Sequence, residues 1–145
     1  LSSEMSIPVY ELDNVVWRRG ANGDIRNSPE DRDNEFNRLI DQTDWIIEGV
    51  HHTWTTSGFE KADIIIFLDT PMAVRNWRIL KRFTVQKLGF EKGNYRQTWD
   101  MLRRMYKWNY QFEKVSKPEI LEILKPHRKK LKILGDNNRI KEFTQ

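Results

Sequence analysis

The stretch from Asp63 to Arg82 constrains the fold more than any other part of the chain. Residues 64–68, Ile-Ile-Ile-Phe-Leu, form a continuous apolar run of β-branched and aromatic type. A run with no polar alternation predicts a strand buried on both faces, as in a parallel sheet. Asp69 stands where that strand emerges. Thr70 is suited to cap the next helix and Pro71 to open it, because the N–H that proline lacks has no partner in a first turn. Wound at about 100° per residue, this helix carries Arg75, Arg78 and Arg82 on one narrow stripe. Ala73, Trp77, Leu80 and Leu88 fall on the opposite stripe. Ligands of open α/β sheets sit at the carboxyl ends of strands, and arginines gathered there predict a polyanion such as phosphate. A solvated basic face is the alternative reading of the same stripe.

The rest of the chain alternates strand and helix patterns. Residues 7–12 predict a strand, with Pro8 at its first position or on an edge. Residues 18–27, with Gly20 and Gly23, read as a loop. Ser28, Pro29, Glu30 and Asp31 open a helix that runs to about Gln42, mostly exposed, with Phe36, Leu39 and Ile40 as its apolar stripe. Residues 45–48 predict a short strand broken at Gly49, and His51 to Ser57 a loop. The helix after Pro71 ends near Gly89, and 89–97 reads as a mobile segment. Residues 98–114 predict a helix apolar on two sides. Trp99, Leu102, Tyr106 and Tyr110 share one side; Met101, Met105, Trp108 and Phe112 share the other. That leaves Asp100, Arg103, Arg104 and Lys107 for solvent. Core packing between two elements explains this pattern better than an aromatic ligand platform. A short helix from Pro118 to Leu124 ends at Pro126, a strand covers 131–134, and a last helix covers 138–143. Leu1 to Met5 read as the end of a helix. Strands alternating with helices predict an α/β fold with a parallel sheet and right-handed crossovers.

The 145 residues predict a single domain, 1–145. The formal charge is +4, but the isoelectric point is near 9.4, and many cations fall between residues 75 and 132. That favours an anionic partner. The chain has no cysteine, which excludes disulfides and thiol chemistry and fits a reducing compartment. No apolar run approaches the roughly 20 residues that span a bilayer, and no signal peptide is visible, so a cytoplasmic protein with no membrane partner is expected. No serine sits in a nucleophile-elbow context, so acyl transfer has no candidate.

Asp13, Glu48 and Asp69 each leave a predicted strand end, and in a parallel sheet those ends share one edge. A carboxylate near a phosphate usually acts through Mg²⁺, which takes one or two carboxylates with waters and phosphate oxygens. The arginine stripe would neutralise charge on a transferred phosphoryl group. Helix caps and loop salt bridges are the competing roles for these acids. His51 and His52 are adjacent with no evident third ligand, so a zinc site is not expected.

Three segments carry a resemblance. They are Ile7-Pro-Val-Tyr-Glu-Leu-Asp13 with Trp17, Trp45-Ile-Ile-Glu-Gly49, and Ile65-Ile-Phe-Leu-Asp-Thr-Pro71 with Arg78-Ile-Leu-Lys-Arg82. In order and spacing the chain resembles the adenylate-kinase-like P-loop proteins of the DNA topology modulation (FlaR-related) group. The likeness extends through Lys117-Pro-Glu-Ile-Leu121 and the final strand. It implies a three-layer P-loop kinase fold around a five-stranded parallel sheet, with ATP and Mg²⁺ and phosphoryl transfer to a nucleotide or other small acceptor. By position it makes Glu48 the metal-associated acid. Asp13, Trp17, Gly49 and His51 fall on the acceptor side. Arg78 and Arg82, and more weakly Arg75, match the arginines that close on the ATP phosphates. The helix over 28–42 becomes the acceptor-side helix, and 83–97 the lid.

One departure is large. The family's G-x-x-x-x-G-K-[ST] loop, whose amides cradle phosphates, does not occur. The resemblance implies that the first strand and this loop lie before Leu1, in about 20 to 25 residues of a strand–loop–helix unit, or that the chain is a variant without them. A sheet without its central strand would expose inner edges, and such a chain should bind ATP poorly on its own. A second class of function stands beside the kinase. It is a nucleic-acid-binding or regulatory protein on the same scaffold, using Arg128 to Lys132 and the Arg103, Arg104 and Lys107 sector.

Overall fold

A computed structural model of the protein describes residues 7–18, 20, 23–87 and 98–136. The chain is mixed α/β and divides into two compact units. The first contains residues 1–65, 127–132 and 138–145; the second contains 66–126 and 133–137.

In the first unit, β1 (Val9–Glu11) pairs in parallel with β4 (Ile46–Glu48), Glu11 standing opposite Glu48. Helix α1 (Leu12–Val16) follows β1 without a loop. Strands β2 (Trp17–Arg18) and β3 (Ile25–Arg26) pair antiparallel. Helix α2 (Pro29–Ile40) starts as its sequence demands: Ser28 caps it, Oγ accepting from Asp31 N at 3.0 Å, with Pro29 at the first position. Such a cap contributes about 1 kcal/mol. Helix α3 (Thr56–Lys61) closes the unit. Phe36, Leu39 and Ile40 of α2 are buried against Leu12 and Val15, and Tyr10, Trp45, Ile47 and Trp54 pack around them. Gly58 of α3 admits this packing, because a Cβ there would lie 2.7 Å from Phe36 Cζ. Tyr10 and Ile47 turn toward the core, so strand alternation sends their neighbours Glu11 and Glu48 to the other face.

Strands β5 (Ile65–Leu68) and β6 (Leu131–Leu134) form a third two-stranded sheet. It is parallel: Ile65 N donates to Lys130 O, and Asp69 N to Leu134 O. In the second unit, α4 (Met72–Lys87) lies antiparallel to α5 (Trp99–Gln111). Phe83 meets Trp99 at one end, 5.2 Å between centroids. At the other end the buried Asn109 amide donates to Asn76 Oδ1 at 2.6 Å. Helix α5 continues through a π-helical turn, Phe112–Ser116, into α6 (Lys117–Leu124). Pro118 accounts for the turn. Its ring would strike the carbonyl four residues back in a regular helix, and the wider turn avoids this, Lys117 N donating to Phe112 O. Leu102, Ile120 and Leu124 are buried along this run.

Several expectations are corrected. The predicted single sheet is three two-stranded sheets among the described residues, with strands of two to four residues. The run 64–68 is not buried on both faces: Ile65 and Phe67 are buried, but Ile64 and Leu68 are exposed. The apolar stripe of α4 is reversed. Ala73, Trp77 and Leu80 are exposed, while Asn76 and Arg75 face α5. The partner surface mixes the Trp99 ring with polar Asn109, so counting apolar residues chose the wrong side. Helix α5 is likewise not sandwiched: Trp99, Trp108 and Tyr110 are exposed. The loop over 18–27 holds the β2–β3 hairpin, and α3 begins inside the predicted 51–57 loop. The separate helices of 98–114 and 118–124 are one run. Leu1 to Met5, Leu88, the 89–97 segment and the 138–143 helix lie outside the described residues; of the 83–97 lid, 83–87 belong to α4. No described helix is long and apolar enough to cross a membrane.

Candidate functional site

The carboxyl end of the β1–β4 pair gathers most of the predicted acceptor-side residues. Asp13 sits in the first turn of α1, directly after β1. Glu48 is the last residue of β4 and is exposed. His51 follows two residues beyond Gly49. Its Nε2 lies 3.4 Å from Asp13 Oδ1. The His51 carbonyl accepts from the buried Thr55 hydroxyl at 2.9 Å, which fixes the backbone there. The His51 ring lies 5.5 Å from Trp54. Trp54 in turn meets the Phe36 edge at 5.3 Å and carries Arg32 over its face at 4.5 Å. A continuous packing path therefore runs from the core of α2 to the imidazole. Trp17, the remaining acceptor-side residue of the prediction, is in β2 with Arg26 over its ring at 5.8 Å.

Gly49 allows this convergence. Its φ is +153°, and an added Cβ would lie 2.7 Å from Leu12 Cβ. Leu12 is buried at the start of α1 and cannot swing aside. Gly49→Ala should therefore destabilise the first unit by about 2 kcal/mol through overpacking and backbone strain. It should also move Asp13 away from His51. Urea denaturation measures the first effect, and an unchanged midpoint would show that the close approach is not there.

The arginine stripe has a different fate in the second unit. Arg75 is not on a solvated face. Its guanidinium pairs with Glu113 and lies over the Phe112 ring at 4.6 Å. Arg75 Nε is buried and finds no hydrogen-bond partner among the described residues. Glu113 also accepts from Lys117 Nζ at 3.2 Å, and Lys117 reaches Asp69 at 2.5 Å. Asp69, at the end of β5, is thus a salt-bridge residue in a half-buried chain of alternating charge. Lys117 lowers the Glu113 pKa, Arg75 adding to this against the cost of burial. The Asp69 carboxylate raises the Lys117 pKa, with Glu113 adding to it. Arg78 lies 3.8 Å from Asp136. Arg82 is exposed and makes no ion pair among the described residues. Sequence reasoning missed Lys117 as the partner of Asp69 and the pairing of Lys117 with Glu113. For the second pair, i,i+4 spacing is the signal that was available.

Asp13, Glu48, Gly49, His51 and Trp17 belong to the first unit, and Arg75, Arg78 and Arg82 to the second. Glu48 offers the hard oxygen donor that Mg²⁺ takes. Among the described residues no three His, Asp or Glu side chains gather at metal-binding range. Gly23 and Gly49 have positive φ, and neither opens a helix in a Gly-Lys-Ser/Thr context. Comparison with protein-family models, with curated proteins and with solved structures gives no match.

Proposed function

We propose that this protein carries out phosphoryl transfer from ATP, with Mg²⁺, to a small acceptor on a fold of the P-loop nucleotide-kinase type. The observation that carries the reading is the meeting of Asp13 and His51 at the carboxyl end of the parallel β1–β4 pair, where Glu48 also ends its strand. Strand ends of this kind are where α/β proteins hold ligands. In this reading Arg82, exposed on the helix that follows β5 in the second unit, is the group assigned to neutralise a developing phosphoryl charge. Arg78 is a second such group, loosely held by Asp136. Arg75 is committed to Glu113 and acts in this reading as a structural ion-pair partner.

The test is ADP release by the protein expressed from its whole gene, with Mg²⁺ and a panel of small acceptors. Arg82→Ala should lower kcat about 10²-fold, the scale for losing one charge-stabilising group. Its unfolding midpoint should stay put, because exposed substitutions move stability by about 0.5 kcal/mol or less. ADP release with none of the acceptors would remove the proposal. A nucleic-acid reading has one specific observation in its favour: Arg103, Arg104 and Lys107 are all exposed on α5. Of the other basic run, Lys130 is already spent on the Glu60 and Ala62 carbonyls. Duplex DNA binding that weakens steeply with salt, without any ADP release, would select that reading.

A further inference from the structure

The acceptor edge holds carboxylates and a histidine. Glu11 and Glu48 are register partners at the ends of β1 and β4, turned to one face. Asp13 follows two residues later. Among the described residues Arg32 is held by Asp33, Arg38 by Glu35 and Lys61 by Asp41, while Arg26 lies over the Trp17 ring. A phosphomonoester carries about −1.5 to −2 charges near neutral pH and would be repelled by these carboxylates. An uncharged alcohol meets no such repulsion. The two acceptors also differ in proton chemistry. An attacking hydroxyl must lose a proton, whereas an ionised phosphate oxygen has none to lose.

His51 is placed for that task. Asp13 lies against Nε2, and Thr55 pins the backbone. Trp54 limits how far the ring can turn. The Nε2–Oδ1 separation of 3.4 Å is of the loose kind that tightens once substrate is bound. We propose that the acceptor is an uncharged alcohol, of the nucleoside or polyol class. His51 is its general base, and Asp13 is the positioning residue that holds Nε2–H. The inference rests on the phosphoryl-transfer reading above. Nδ1 takes the acceptor proton while the hydroxyl oxygen forms the new bond to phosphorus. The bond from that phosphorus to the donor's bridging oxygen breaks, and a nucleoside diphosphate leaves. The other titratable groups at this edge are Glu11, Glu48 and His52, whose Nδ1 lies 3.3 Å from Val50 O; Arg32 lies across Trp54.

The experiment compares nucleosides and polyols with nucleoside monophosphates as acceptors for the protein expressed from its whole gene, with ATP and Mg²⁺. Transfer to the neutral alcohols is expected. In His51→Asn, kcat should fall about 10²-fold, the lower end for a general base, with acceptor KM nearly unchanged. The acid limb of the pH–rate profile should vanish. Asp13→Asn should lose less, about tenfold, and keep that limb, as befits a group that acts through another. A separate readout is the His51 imidazole NMR signal, identified by its loss in His51→Asn, which should shift on adding a nucleoside and not on adding its monophosphate. Transfer to monophosphates alone would overturn this inference and leave phosphoryl transfer standing. Transfer to alcohols with His51→Asn unimpaired would overturn the base. No transfer to any acceptor would overturn both.

Discussion

Phe36→Ala should cost the first unit about 4 kcal/mol, within the usual range for deleting a buried phenyl ring. The ring is 2 % exposed and sits among Leu12, Val15, Leu39 and Ile40. It meets Trp54 edge-on and touches the space above Gly58. Alanine would leave a cavity on every one of these sides, and glycine at position 58 has no side chain to fill it. A small unit has a net stability of only about 5 to 15 kcal/mol, so much of it would be lost. The effect should also reach the candidate site. Trp54 is held on one side by Phe36 and on the other by His51, so freeing it frees the imidazole. Hydrogen exchange at α2 and at the β1–β4 pair should speed up together, and urea denaturation gives the magnitude. A loss under about 1 kcal/mol would mean that Phe36 does not fill the core in the way described.

The second large effect is expected from Lys117→Met. The Lys117 ammonium stands between Asp69 and Glu113. Methionine keeps the apolar stem but leaves those carboxylates facing each other without it. Removing one partner of a fully buried pair costs about 3 to 5 kcal/mol. Lys117 is 21 % exposed, so a smaller loss of about 2 kcal/mol is expected after solvent screening. The pH dependence carries a sign. Glu113 is held below its ordinary 4.5, so its contribution is present above that range and lost as pH falls through the lowered value. Lys117 is held above its ordinary 10.5, so its contribution is intact below that value and lost as pH rises through the raised one. Stability of the native protein should therefore be flat between these limits as far as this chain of charges is concerned. In Lys117→Met the alkaline fall from this residue should disappear and the acid one should shrink, since Arg75 still pairs with Glu113. Denaturation midpoints across pH that match the native protein at both ends would refute the network.

What the sequence disclosed follows the range of the forces involved. The cap at Ser28, the start at Pro29 and the strand over 131–134 depend on neighbours within a few residues, and the structure has them at or within a residue of the expected places. The apolar trio of α2 was identifiable because its partners are themselves apolar, so periodicity alone picks the buried side. The same logic failed on α4, where the buried Phe83 shares the inward side with half-buried Asn76 and Arg75, whose partners are Asn109 on α5 and Glu113 in the π-turn. Only tertiary contacts turn those two polar residues inward. The π-turn was hidden for a related reason. Pro118 announces an interruption, but whether a helix stops or widens there depends on what it packs against. At the candidate site, the residue types at Asp13, Gly49 and His51 were legible, and so was their place after strand ends. Their convergence was not, because it depends on Gly49 letting Leu12 come close. The engagement of Asp69 by Lys117 spans nearly fifty positions and left no local trace.

The widened turn at Phe112–Ser116 works as a phase shifter. Each residue of an α-helix advances the side chains by about 100°, so a five-residue loop of hydrogen bonding slips everything after it by roughly one position relative to everything before. Asn109 and Leu102 address their neighbours in one frame; Lys117, Ile120 and Leu124 address theirs in the next. Point changes between the two frames alter a single contact. Removing or adding one residue would rotate a whole helix end, turning Leu124 outward and swinging the ammonium of Lys117 off Asp69, so length is held here more tightly than composition.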